Sequence, residues 1–210
     1  MQNDTRGDDR WMFLAGLAFL LLSALGALLQ GGPPGEQDSA DEVVSHFADK
    51  ETRILAGAFA LNVAAAALLV FVSRLRAAID DRARAARSLL LVGGTVYATA
   101  ILIGSSVSLS LVVASNAAFR ESAQALNVLS SSLWVPLVIG LATMLIGAGL
   151  AVLRTGILPR WLGRVAAVVG VVSLLGPGGF LGAVVAPFWV GAAGVMLFLR
   201  PAERPVVPAA

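Results

Sequence analysis

The chain is 210 residues long, 58% hydrophobic and 13% charged, with a formal net charge of +2 and no cysteine. Soluble domains carry about 25% charged residues, so this composition excludes an ordinary soluble fold. The missing cysteine excludes disulfides, thiol catalysis and cysteine metal sites, and the length suits one bundle with no separate soluble domain.

The first ten residues, MQNDTRGDDR, mix acids and bases and form a short tail. Six apolar blocks follow, at 11–29, 54–73, 89–113, 133–153, 161–175 and 180–199. A helix crosses a hydrocarbon core of about 30 Å with roughly 20 apolar residues, and the fifth block is short for that. In lipid the backbone must satisfy its own polar groups, and period-two alternation is absent, so the blocks predict helices and not a barrel. The first block exceeds the apolar core of a usual signal peptide, and Ala24-Leu25-Gly26 is a poor cleavage site, so it predicts a retained helix. The expected fold is all-α: a polytopic membrane bundle of six transmembrane helices over 11–200, between tails at 1–10 and 201–210.

The connections differ in character. The first, GGPPGEQDSADEVVSHFADKETR, opens with a breaker cluster. Ser39 and Glu42 then form a capping-box pattern, and Val43, Val44 and Phe47 share one face. This predicts a short helix on the outer surface that runs into the second span. Asp38, Asp41, Glu42, Asp49 and Glu51 read as its solvated face and not as a cation site, and His46, the only histidine, as a surface residue. The second connection, SRLRAAIDDRARAARS at 73–88, is the most charged stretch. Asp80 and Arg84 stand at i,i+4 there, which extends the flanking helices into a hairpin. The third, SNAAFRESAQALNVLSSS, prolongs the third helix and turns, with the serines at 130–132 placed to cap the fourth and Pro136 tolerated in its first turn.

Charge sorts these connections by side. Arg6, Arg10, Arg74, Arg76, Arg82, Arg84, Arg87, Arg154, Arg160, Arg164, Arg200 and Arg204 fall on one side of a six-span topology; Lys50, Arg53 and Arg120 fall on the other. The positive-inside rule then places both termini in the cytoplasm. Fourteen arginines against one lysine, with much Ala, Gly and Val, suit a GC-rich bacterial genome and hence a plasma-membrane location. The run at 73–88 is a topology anchor, with Arg74, Arg76, Arg82, Arg84 and Arg87 available to anionic lipid head groups. It lacks the interleaved aromatics of a nucleic-acid surface, and two adjacent aspartates are too few for a magnesium-binding transferase motif.

No Asp, Glu, Lys, Arg or His lies in the central part of any span. Ion-coupled transporters usually keep such a group there despite its cost, and no HExxH, aspartate pair or Ser–His pair supports an intramembrane protease. No catalytic residue, metal ligand or cofactor site is predicted. The remaining mid-depth polar residues are neutral. Asn62, Tyr97, Thr143 and Trp189 are the candidates for a small mid-membrane pocket. The simpler reading is that they join helices, with hydroxyls bonded back to their own backbone. Trp11, Trp134 and Trp161 suit the interface belts, whereas Trp189 does not. Thr95, Thr99, Ser106 and Ser110 fall within about 60° of one helix face.

The stretch GILPRWLGRVAAVVG at 156–170, with Leu158-Pro159-Arg160-Trp161-Leu162-Gly163 at the start of a late span, resembles a domain-of-unknown-function family of small six-helix membrane proteins common in actinobacteria. The outer ADEVVSHFADKETRILAGAF and the GPGG turn before the last span are similar to that family too. The resemblance implies the six-helix architecture over about 11–200 and brings no catalytic residues. The function expected from the sequence is a non-enzymatic accessory or regulatory protein of the inner membrane. The alternative is a facilitator or binder of a small neutral or lipophilic molecule through the mid-membrane pocket.

Overall fold

A computed structural model describes residues 10–32, 34–35, 37–117 and 119–200. The two predicted tails lie outside these residues, Arg10 excepted. The described residues are helical with short connections: α1 (Ala15–Gln30) led in by a 3-10 turn at Arg10–Leu14, α2 (Ala40–Asp49), α3 (Glu51–Ala78), α4 (Arg84–Asn116), α5 (Arg120–Ser132), α6 (Trp134–Thr155), α7 (Arg160–Ser173) and α8 (Gly178–Leu199).

Five helical stretches are long and apolar enough to cross a membrane: Arg10–Gln30, Glu51–Ala78, Asp81–Asn116, Arg120–Thr155 and Gly178–Leu199. Their outward faces carry large apolar side chains, such as Leu28, Phe59, Val113, Phe180 and Phe188, that no protein covers. In water such a surface would drive aggregation; in a bilayer it is matched by acyl chains. The sixth predicted span is α7, whose 14 residues reach only about 21 Å. It packs antiparallel to α6: Gly163 meets Gly149 and Val152, and Gly170 meets Ala142 and Ile146.

The long helices and α7 form a ring in the order α1, α3, α4, α6, α7, α8 and back to α1. One end of the ring is basic. There Arg10 donates to the carbonyls of Phe198, at 2.6 Å, and Arg200, which are orphan acceptors at the end of α8. Arg200 donates to the Gly156 carbonyl at 3.2 Å, where α6 ends on a left-handed glycine. Arg74 lies 5.8 Å from the Phe13 ring centroid. Both ends of the described chain and the α3–α4 and α6–α7 connections therefore meet at this end. The opposite end carries α2, α5 and most of the acids among the described residues.

The half of the ring towards the basic end is filled. Phe19, Leu68, Phe71, Leu90, Met144, Leu145, Trp189 and Val190 form its core, and Phe19 stands edge-on to Tyr97 at 6.1 Å. The backbones of α4 and α6 approach closely at three glycines. A Cβ on Gly93 would overlap the Met144 amide nitrogen, one on Gly147 the Leu90 nitrogen, and one on Gly140 would lie 2.5 Å from the Tyr97 nitrogen.

A second, smaller core at the acidic end joins α2 to α3, α4 and α5 through Val43, Phe47, Ile54, Leu111, Val112 and Ala123. The capping box is present: the Ser39 N–H donates to Glu42 Oε2 at 2.7 Å, and the Glu42 N–H to Ser39 Oγ at 3.3 Å. The Ser39 N–H, and after it the Ser39 hydroxyl donating to Glu42 Oε2 at 2.8 Å, hold the Glu42 carboxyl below the usual carboxylate range. Ser39→Ala should cost α2 about 1 kcal/mol, read as faster amide exchange over residues 40–48 with the ring helices unchanged.

Two connections differ from the sequence reading. α4 ends at Asn116, and the third connection forms a separate helix, α5, in place of a prolonged α4. Ser130 donates back to the Asn127 carbonyl at 2.7 Å, so it closes α5 and does not cap α6. In the second connection Asp80 accepts from the Arg82 N–H at 2.8 Å and Asp81 pairs with Arg87, in place of the expected Asp80–Arg84 pair. A tight 3-10 turn at Asp81–Ala83 breaks the helical spacing that pair required.

Candidate functional site: a cavity beneath the acidic end

Towards the acidic end the ring is open. A cavity of about 630 Å³ lies between α1, α3, α4, α6 and α8, with α2 and α5 above it. This is within the roughly 300–1,000 Å³ of small-molecule sites. Tyr97 lines its deepest part along α4, and Ile101, Gly104, Ser105, Ser108 and Leu111 follow on the same face. From Tyr97 to Leu111 is about 21 Å along the helix.

α1 contributes the two polar groups that matter most. Ser23 and Gln30 are the polar side chains of an otherwise apolar helix, and their i,i+7 spacing puts both on one face. Both line the cavity, and Ser23 Oγ and Gln30 Nε2 are buried without a hydrogen-bond partner. Leaving such a group unpaired costs about 1–3 kcal/mol, so a side-chain rotation that brings either atom to a ligand in the cavity is favoured.

α8 shapes the opposite wall. Pro187 has no N–H for the Ala183 carbonyl one turn back, and both residues line the cavity. Between α1 and α8 glycines allow close contacts in the basic half, where Gly16 meets Val190 and Gly191 meets Leu20. Above them Ala24 and Ala27 on α1 and Val184 and Phe188 on α8 line the cavity and are also exposed. The cavity is therefore open sideways at the depth of the apolar belt.

The upper rim is built from α2 and α5. Asn127 Nδ2 donates to the Gly35 carbonyl at 3.1 Å and Gln124 Nε2 to the Asp38 carbonyl at 3.2 Å, pinning the first connection to α5. Arg120 and Asp41 pair at 3.0 Å, but both are exposed, so the pair adds little. His46 lines the rim, with its Nδ1 3.3 Å from Lys50 Nζ, a geometry in which a neutral imidazole accepts from the ammonium. Burial, and then Lys50, hold the His46 pKa below the usual 6.5.

The sign of the linkage follows from that depression. Below about pH 6.5 the unfolded chain takes the proton first, so the His46 contribution is complete above that pH. It is lost as the pH falls through the lower folded-state pKa. Thermal unfolding followed from pH 8 to pH 5 should show a melting temperature that declines below about 6.5, and a His46→Gln variant should show a shallower decline.

The four sequence candidates separate. Tyr97 lines the cavity. Asn62 stands behind its wall and accepts from Ser105 Oγ at 2.6 Å, joining α3 to α4. Thr143 lies on the α6 face towards the α4 seam, away from the cavity lining, beside the contact made by Gly93. Trp189 is only 3% exposed, and its Nε1 donates to the Leu162 carbonyl at 3.0 Å, fastening α8 to α7. The Thr95, Thr99, Ser106 and Ser110 face points away from the cavity into the exposed surface; Ser106 and Ser110 bond back to Leu102 and Ser106 carbonyls. Sequence reasoning passed over Ser23, Gln30 and Gly104, and read His46, which lines the rim, as a surface residue. The heptad-spaced polar pair in an apolar helix was the available signal.

Fold and cavity together are those of an all-helical chain with five helices long and apolar enough to cross a membrane, which suggests a multi-pass membrane protein, around an internal cavity. No family model matches the chain, and neither a curated protein nor a solved structure matches it.

Proposed function

We propose that this protein spans a bacterial plasma membrane six times, with both termini in the cytoplasm, and binds a small lipophilic molecule in the cavity beneath its outer end. The observation that carries the binding reading is the pair of buried, unpartnered polar groups, Ser23 Oγ and Gln30 Nε2, in a largely apolar cavity. The six-span reading is supported by the meeting of Arg10 and Arg200 at one end and by the concentration of arginine there. On that reading α7 is a short span, locally thinning the bilayer at modest cost, and α2 lies on the outer face. Arg74, Arg76, Arg82, Arg84 and Arg87 then face anionic lipid head groups. Membership of the actinobacterial six-helix family is part of the same proposal, on the Leu158–Gly163 step.

The reading is of a binder or facilitator and not an enzyme. An accessory role has one observation in its favour, the hydroxyl-bearing α4 face turned towards lipid, which suits contact with another membrane helix. Native mass spectrometry of the full chain, extracted gently from its own membrane, separates the two. A defined small-molecule adduct is expected, and it should disappear in Gly104→Leu, because a Cβ at Gly104 meets no atom within 4 Å and the larger side chain would fill the cavity without disturbing packing. A bare chain, or one carrying a stoichiometric protein partner, would overturn the binding reading, and the second result would establish the accessory one.

A further inference from the structure

The cavity wall also selects a ligand class. We propose that it holds an uncharged lipid with an oxygen-bearing head group, of the chemical class of a monoacylglycerol or long-chain alcohol, its head at Ser23 and Gln30 and its chain passing out between α1 and α8. This deepens the binding reading above and rests on it.

Three observations converge. Ser23 Oγ and Gln30 Nε2 are unpartnered and neutral, a hydroxyl that can donate or accept and an amide nitrogen that donates. A ligand hydroxyl can donate to or accept from such groups, and an ester oxygen can accept from them. Among the described residues no Asp, Glu, Lys or Arg lines the cavity, so an ionised head group would stand in a low-dielectric space with no opposite charge from them to meet it. His46 at the rim does not supply one, because its partial burial, and then Lys50 beside it, favour the neutral imidazole. The remaining wall is apolar, and the parting of α1 from α8 at Ala24 and Val184 opens it at the depth of acyl chains. A soluble ligand would have to come from the rim; a lipid reaches this gap by lateral diffusion, without leaving the bilayer.

The test keeps the chain constant and varies the head. The full-length protein in one detergent is titrated with monooleoylglycerol, oleyl phosphate and oleyltrimethylammonium, and bound ligand is counted by native mass spectrometry. Monooleoylglycerol should bind at least tenfold more tightly than either charged analogue. Gln30→Leu should weaken it by about tenfold, and Gly104→Leu should abolish it. A charged analogue binding within tenfold, or an unchanged affinity in Gln30→Leu, overturns the head-group assignment and leaves the cavity reading standing. If none of the three binds in a Gly104-sensitive way, the uncharged-lipid proposal fails. In that case a Gly104-sensitive adduct on the natively extracted chain would still uphold the cavity, and a bare chain would remove it as well.

Discussion

Gly93→Ala should destabilise the protein by at least about 2–3 kcal/mol, although the same change in an exposed helix would stabilise it by up to about 1 kcal/mol. The reason is the α4–α6 seam. The Cβ would overlap the Met144 backbone nitrogen, and backbone cannot rotate away as a side chain can. The two helices must separate, and they would lose contact along the whole line from Gly93–Met144 to Gly147–Leu90. Membrane helices gain little from apolar burial against one another, so close packing of this kind is a main source of their association. The measurement is the midpoint of unfolding in a denaturing detergent, with Gly104→Ala as the comparison on the same helix. Gly104→Ala should be neutral or stabilising, since nothing lies near its Cβ. Equal midpoints for the two variants would show that the seam does not limit stability.

Trp189→Ala should cost about 3–5 kcal/mol through the cavity left by the indole, and Trp189→Phe about 1–3 kcal/mol through loss of its bond to the Leu162 carbonyl. α7 is the shortest element of the ring, so its anchorage to α8 should loosen first, read as faster amide exchange over residues 160–173. Ligand affinity should change less than stability, because Trp189 faces α7 and not the cavity. A Trp189→Phe variant of unchanged stability but with lost binding would return this residue to the site.

The capping box of α2 was legible because its bonds join residues three apart, and the apolar blocks were legible because length and composition alone make them helices in lipid. The boundary between α4 and α5 was not. Residues 114–132 are small and polar, and only the packing of Val43, Phe47 and Ala123 into a second core requires a separate helix there. The site was half legible. Tyr97 could be picked as a lone aromatic at mid-depth, but Trp189 looked equivalent, and only the direction of each side chain distinguishes a wall from a clamp. Ser23 and Gln30 stand in the first apolar block and look individually unremarkable. Their meaning depends on a missing neighbour: the parting of α1 from α8 leaves them without partners.

Composition and local spacing thus determined an all-helical, membrane-suited chain, its sequence of apolar blocks and its charge asymmetry, since each follows from the solvation of single segments. The tertiary structure alone decided that glycines bring α4 against α6, that Trp189 fastens α7, and that the ring stays open towards its acidic end. Those outcomes depend on which faces of distant helices meet, and lipid, equally favourable to every apolar face, leaves that choice to shape and to the few polar groups that must find a partner.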